Sequence, residues 1–338
     1  MPGLIKSLSR ASRLVPCSYG VGTLPAVNSI VGSFNAIDLE EFRERAFVLA
    51  KPILITTRDG RALKSARTTP TFPPLPAAEK WFSHEPRHDR NYWESNLSLQ
   101  YLSSFRDTIL PYELVIDSNG EHLQRYISWA QAGDGRQELP AFLAQLLSQS
   151  NDRSFHRFNA PLSLFLEACR STPPSIIPPR LYIAQAQITD LPKQLQDDLP
   201  TPRIIKEAGK GDIYDSNIWM GIPPTYTPLH KDPNPNLFVQ LASSKRVRLF
   251  EPDIGSATFR DVQQRIGQVG SASFRGDEMM EGPEKDALDE AVWGNDVEGE
   301  GFEVTVGPGD ALFIPKGWWH SIKSVGSDVT ASVNWWFR

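Results

Sequence analysis

The motif His230-Lys231-Asp232, answered 88 residues after the aspartate by His320 in Gly317-Trp318-Trp319-His320, constrains this fold more than any other feature of the chain. Two imidazoles and one carboxylate can hold Fe(II) on one triangular face and leave the opposite coordination positions open. They do so only where the fold brings both segments together, as at the mouth of a β-barrel. A His-x-Asp pair alone says little, because roughly a third of shuffled sequences of this composition would contain one. The surrounding sequence has to carry the argument.

Leu237–Leu241 reads as a strand, Ala242-Ser243-Ser244 as a tight connection, and Lys245–Phe250 as an antiparallel return. Side chains alternate along a strand, so His230 and Asp232 share one direction, and Asn236 shares their parity. On the return strand Lys245 falls with Val247 and Leu249, while Arg246 and Arg248 take the other face. A lysine on the apolar face of a sheet is costly unless an anion meets it there. A dicarboxylate could supply that anion, one end on the metal and the other on Lys245. The plainer alternative is a lysine at a strand end whose ammonium reaches water.

The second half of the candidate site follows the same logic. Gly309-Asp310 marks a turn, Ala311–Pro315 an apolar strand, and Lys316-Gly317 another break before Trp318-Trp319-His320. The two indoles are expected to give His320 a water-poor setting and to hold its orientation. The last strand splits into an apolar set (Val329, Ala331, Val333, Trp335, Phe337) and a mixed set (Thr330, Ser332, Asn334, Trp336). The mixed set suits a barrel lumen holding a polar ligand.

The stretch from Thr227 through His230-Lys231-Asp232, Asn236 and Lys245 to Arg246 resembles the core of the JmjC (cupin-like) Fe(II)/2-oxoglutarate oxygenases. Within that family its spacing is similar to that of the asparaginyl hydroxylase acting on hypoxia-inducible factor. The resemblance covers about residues 38–338 and is specific from about 180 onward, including Trp219-Met220-Gly221; Ala46–Ile55 looks like the family's first strand. It implies a mostly β fold with flanking helices, a double-stranded β-helix (jelly-roll, cupin) barrel of the JmjC type. It implies His230, Asp232 and His320 as iron ligands, and Lys245 as partner of the distal 2-oxoglutarate carboxylate with help from Thr227 and Tyr182. Asn236 and Asn334 fall on positions lining the co-substrate pocket, and O2 completes the cofactor set. Thr227 has the opposite parity to His230, so it joins them only if Pro228 interrupts the strand.

Composition sets outer limits. The balance of 35 basic against 40 acidic residues gives a net charge of −5, which provides no global attraction to nucleic acid. Two cysteines, Cys17 and Cys169, support neither a disulfide framework nor a zinc cluster and fit a reducing compartment. No apolar run reaches the length that spans a membrane, and no internal repeat is visible. Residues 1–37 hold no acid, three bases (Lys6, Arg10, Arg13), and Leu4, Ile5, Leu8 and Leu14 at helical spacing. That is the make-up of a mitochondrial transit peptide or of a basic tail; cytoplasm or nucleus is the default expectation.

Residues 38–338 then form a single unit with the barrel at about 180–338. Residues 56–100, rich in Pro, Arg and Trp, read as a loop capping one barrel mouth, with His84 and His88 as surface histidines rather than a second metal site. Residues 277–303 hold 11 acids against the single base Lys285 and read as a solvated loop, with docking of a basic peptide as the minority reading. Leu139–Gln149 and Pro161–Cys169 read as short helices outside the barrel.

The leading functional expectation is hydroxylation of a protein or peptide side chain, with release of succinate and CO2. Lysine demethylation, oxidation of a small molecule or modified RNA base, and an inactive cupin-like binding protein are the alternatives. The sequence leaves the substrate and the oligomeric state open, because lid loops and rim residues choose them.

Overall fold

The computed structural model describes residues 24–57, 75–87, 92–116, 120–133, 137–149, 154–267, 281–294 and 301–338. Its strands before the barrel are β1 (Ser29–Val31), β2 (Ile53–Thr56), β3 (Phe82–Arg87), β4 (Tyr92–Leu97), β5 (Ile109–Val115), β6 (Phe155–Pro161) and β7 (Leu181–Gln187). The barrel strands are β8 (Ile213–Gly221), β9 (Tyr226–Lys231), β10 (Asn236–Ala242), β11 (Ser244–Phe250), β12 (Gly301–Val306), β13 (Ala311–Ile314), β14 (Trp319–Val325) and β15 (Thr330–Phe337).

Two antiparallel sheets face each other. The central order of the larger is β13-β10-β15-β8, and the smaller runs β12-β11-β14-β9. Successive strands from β8 to β11 alternate between the sheets, and so do those from β12 to β15, which is jelly-roll winding. The larger sheet extends through β7, β5 and β6 on one side and through β2 and β1 on the other.

That winding corrects the reading of residues 237–250 as a hairpin. Strand β10 pairs with β13 and β15, whereas β11 pairs with β12 and β14. The chain therefore crosses from sheet to sheet at Ser243, which has a left-handed backbone (φ 53°). The crossing is buried, and its polar groups are met locally. Gln240 Nε2 donates to the carbonyls of Ala242 and Ser243, and Ser95 Oγ accepts from the Ser243 N–H. Ala-Ser-Ser also lacks the glycine or asparagine that a two-residue hairpin turn favours.

Each sheet face has its own apolar body. Val329, Ala331, Val333, Trp335 and Phe337, the apolar set of β15, join the main core on the outer face of the larger sheet. The expected outer helices are present there as Glu138–Gln149 and Leu162–Ala168. Between the sheets Phe238, Val247, Leu249, Leu312 and Ile314 fill part of the barrel. On the outer face of the smaller sheet, Leu229, Phe250 and Trp319 pack against Phe259 and Val262 of helix Pro252–Ile266 and Leu288 and Val292 of helix Gly282–Trp293.

Three further segments depart from their sequence readings. The 277–303 stretch contains that second helix, because Leu288 and Val292 form an apolar stripe four residues apart among acids. Within 56–100, Pro76–Lys80 is a short helix and β3 pairs antiparallel with β4, so these parts are not loop, while 58–74 and 88–91 lie outside the described residues. Of 46–55, only Ile53–Ile55 is strand; Arg43–Phe47 is a π-helical turn that buries Ala46. Residues 24–37 are part of the fold: Ile30, Phe34 and Ile37 lie in the main core, and β1 pairs in parallel with β2. The helical spacing noted at Leu4–Leu14, Cys17 and His88 lie outside the described residues. Among the described residues no helix is long and apolar enough to cross a membrane.

Candidate metal centre and its cavity

His230 and His320 are opposite one another in the β9–β14 ladder, and Asp232 follows directly after β9. The ladder slips next to that pair: Ile322 is opposite Thr227, so Pro228 and Leu229 together face Ser321. This is a β-bulge, and Pro228 suits it because it has no N–H to give to the ladder. The bulge reverses the parity upstream, turning Thr227 into the same cavity as His230. It also leaves the Pro228 carbonyl 2.9 Å from His230 Nδ1.

His320 is arranged in the same way, with Nδ1 3.3 Å from the Trp318 carbonyl. When each Nδ1–H donates to a backbone carbonyl, the ring carries its lone pair on Nε2, the atom that would face a metal. The indoles take no part in this. Trp318 Nε1 donates to the Ala50 carbonyl and Trp319 Nε1 to Ser256 Oγ. The expectation that they hold His320 by side-chain contact is therefore corrected: the backbone of Trp318 does so, and the indoles pack in separate apolar clusters.

The imidazole centroids are 4.2 Å apart, and His320 Nε2 is 3.7 Å from Asp232 Oδ2. One ligand atom from each of His230, Asp232 and His320 falls within 4.8 Å of the others. Bonds of about 2.1 Å set ligand atoms roughly 3–4 Å apart, so a small inward shift completes the set. Asp232 is held from behind, since its Oδ2 accepts from Asn236 Nδ2 at 2.8 Å and Asn236 Oδ1 accepts from Asn334 Nδ2 at 2.9 Å. Asn236 opens β10 whereas Asp232 lies just beyond the end of β9, so shared strand parity is not the reason they meet.

The three metal-type residues stand on a cavity of about 290 Å³. Tyr182, Thr227, Asn236, Lys245 and Asn334, singled out from sequence, line it too. Lys245 is only 2% exposed; its Nζ donates to Ser332 Oγ at 3.0 Å and lies 5.5 Å from the Phe238 ring centroid. Its alternation is as expected, with Arg246 exposed and Val247 buried. Tyr182 is fixed by a close approach. Gly221 is opposite it in the β7–β8 ladder, and a Cβ there would lie 2.1 Å from Tyr182 Cδ2.

Trp336 of the mixed β15 set lines the lumen as expected, and sequence reasoning passed over other lining residues. Asp215 and Asn217 alternate with Trp219 along β8 into the lumen. Gln185 sits at the irregularity of β7 with a left-handed backbone (φ 56°). The alternation of β8 was a usable signal once that strand was assigned to the barrel. His84 is also not a surface-loop residue. It is half-buried on β3, with Nδ1 2.8 Å from Ser95 Oγ and Nε2 2.8 Å from the Ala78 carbonyl.

Residues 121–338 match the cupin-like domain family. The chain belongs to it, and to its JmjC group. Lysine-specific demethylase JMJ30 of Arabidopsis thaliana is 28% identical over 174 residues, 52% of this chain and 37% of that protein. JmjC domain-containing protein C of Dictyostelium discoideum is 28% identical over 166 residues, 47% of this chain and 36% of the relative. Lysine-specific demethylase 8 of Danio rerio is 27% identical over 160 residues, 46% of this chain and 36% of the relative. The matches thus span little more than a third of these relatives. JmjC oxygenases use Fe(II), 2-oxoglutarate and O2, and the donor set here fits: two imidazoles and a carboxylate for the ion, a buried ammonium for the far end of a dicarboxylate.

Proposed function

We propose that this JmjC protein is an Fe(II)- and 2-oxoglutarate-dependent oxygenase that hydroxylates a side chain of a protein or peptide. One observation carries the reading: a buried lysine, Lys245, lines the same cavity as His230, Asp232 and His320. Bound iron, with O2 and 2-oxoglutarate, supplies an oxidant able to put oxygen into a C–H bond as the co-substrate leaves as succinate and CO2. The rest of the work belongs to the chain. His230, Asp232 and His320 would hold the ion, beside the cavity that Lys245 also lines. Lys245, with the hydroxyls of Ser332, Thr227 and Tyr182, fixes the distal carboxylate. Trp219, Phe238 and Ile322 keep that end poor in water, which strengthens each charge-assisted contact.

Lysine demethylation is the second reading, supported by two relatives that are named lysine-specific demethylases. Both chemistries begin with oxygen insertion at carbon; a hydroxylated N-methyl group then leaves as formaldehyde. An inactive binding protein on the same fold would bind ligand without turnover. Cys169 is a free thiol and the sequence has only one other cysteine, a usage that suits a reducing compartment, so we place the protein in the cytoplasm or nucleus.

Purified protein supplied with Fe(II), ascorbate and 2-oxoglutarate is expected to form succinate slowly without added substrate, and His230→Ala to form none. Equal succinate from the wild type and His230→Ala would refute the oxygenase reading. Mass spectrometry of captured peptides then separates a gain of one oxygen from loss of methyl groups.

A further inference from the structure

The direction of the amide groups around the cavity is set by carboxylates that can only accept. Asp232 Oδ2 accepts from Asn236, so Asn236 must present its Nδ2 there and turn Oδ1 toward Asn334, which must present Nδ2 in reply. Asp215 imposes the same on Asn217, whose Nδ2 donates to Asp215 Oδ2 at 2.8 Å. Each chain therefore ends on an amide oxygen. Asn217 Oδ1 and Asn334 Oδ1 have no hydrogen-bond partner among the described residues, although Asn217 is 2% and Asn334 5% exposed. The two asparagines are opposite one another in the β8–β15 ladder, and both line the cavity.

Two buried acceptors on adjacent strands call for donors. Ionised 2-oxoglutarate has none, so it cannot satisfy them. We infer that Asn217 and Asn334 form a recognition wall for the substrate, and that the group entering the cavity carries paired N–H donors, as a primary amide or guanidinium does. This deepens the oxygenase reading and rests on it for the word substrate. The roles divide cleanly: Asn334 also steadies Asp232 through Asn236, whereas the Asn217 amide hydrogen-bonds to Asp215 instead. Asn217 is therefore the residue that sets side-chain preference. Trp336, two residues along β15 from Asn334 and opposite Asp215, lines the same cavity on the side away from Ser332 and Lys245, where a planar amide or guanidinium would meet an aromatic ring.

The test is direct binding, without turnover. Protein loaded with Mn(II) and 2-oxoglutarate in the absence of oxygen is titrated calorimetrically with N-acetyl-X-N-methylamides, where X is Asn, Gln, Arg, Leu, norleucine or Asp. At least one of the Asn, Gln or Arg probes is expected to bind about tenfold or more tightly than the Leu and norleucine probes. That preference should vanish in Asn217→Leu, and in Asn217→Ala should the larger residue disturb folding. The amide probes against the arginine probe tell which donor group the wall serves. Equal affinity across the set, including none measurable, overturns the inference, as does a preference for the Asp probe or one that survives both Asn217 variants. Failure of 2-oxoglutarate itself to bind would sink the oxygenase reading instead, and the same probes titrated with Mn(II) alone would still judge the wall.

Discussion

His230 and His320 are direct cross-strand partners whose rings lie 4.2 Å apart, and the ladder slips immediately beside them at Pro228 and Leu229. The slip places a proline carbonyl behind one imidazole and turns Thr227 inward, so one irregularity shapes both the metal face and the cavity wall. The aspartate of the set depends on another contact, the Asn236 amide. Asn236→Leu is expected to weaken Mn(II) binding about 10–100-fold, the usual effect of losing a group that orients a ligand. Titration of metal into the apo-protein measures it. An unchanged affinity would show that Asp232 needs no such support.

Lys245→Met separates affinity from stability. Loss of a charge-assisted contact is worth about 1.5–3 kcal/mol, so the apparent 2-oxoglutarate affinity should fall roughly 10–150-fold. Replacing a buried charge with an apolar chain of similar length is often neutral or stabilising, so the thermal midpoint should hold or rise. Calorimetric binding and thermal unfolding of the same variant read both. A variant that binds 2-oxoglutarate as well as the wild type would remove Lys245 from the co-substrate site.

The residues visible from sequence were those whose information is local. Lys245 stands out because Val247 and Leu249 share its face, and the β15 alternation told lumen from core without any partner strand. The crossing at Ser243 was hidden because a hairpin and a sheet-to-sheet crossing look alike over ten residues. What decides between them is pairing with β14 and β15, some 80 residues later. Helix Gly282–Trp293 was obscured by its acids, since Leu288 and Val292 alone mark its buried side. The wall formed by Asn217 was invisible for a related reason: a strand reading Asp-Ser-Asn-Ile-Trp has no apolar face until the larger sheet assigns one.

Gly221 and Tyr182 give a coupled pair. In Gly221→Ala the new methyl would overlap the Tyr182 ring and come 3.0 Å from Thr225 Cγ2. The ring must swing away, at about 1–3 kcal/mol of stability, and its hydroxyl leaves the co-substrate. The affinity for 2-oxoglutarate should fall roughly 10–150-fold, the worth of one hydrogen bond to a charged group, about 1.5–3 kcal/mol. Tyr182→Phe should cause a similar loss, and the double variant no more than either alone. Additive losses would show that the glycine acts through something other than the tyrosine.

His84 links the β3–β4 hairpin to the strand crossing that precedes Lys245. Nε2–H donates to the Ala78 carbonyl, so Nδ1 accepts from the Ser95 hydroxyl, whose oxygen in turn accepts from the Ser243 N–H. This arrangement requires a neutral ring. Burial lowers the His84 pKa below the usual histidine value, against a smaller opposing effect of the Ala78 hydrogen bond. Above about pH 6.5, the unfolded value, both states are neutral and the full contribution to stability is present. As the pH falls below that value the unfolded chain takes up the proton first, so stability drops until the folded pKa is passed. The urea midpoint of the wild type should therefore decline between about pH 7 and 5.5, and His84→Gln should flatten part of that decline. Because the relay ends at Ser243, two residues before Lys245, the variant should also bind 2-oxoglutarate more weakly at pH 7. Parallel pH profiles for the two proteins would mean that His84 does not carry the titration.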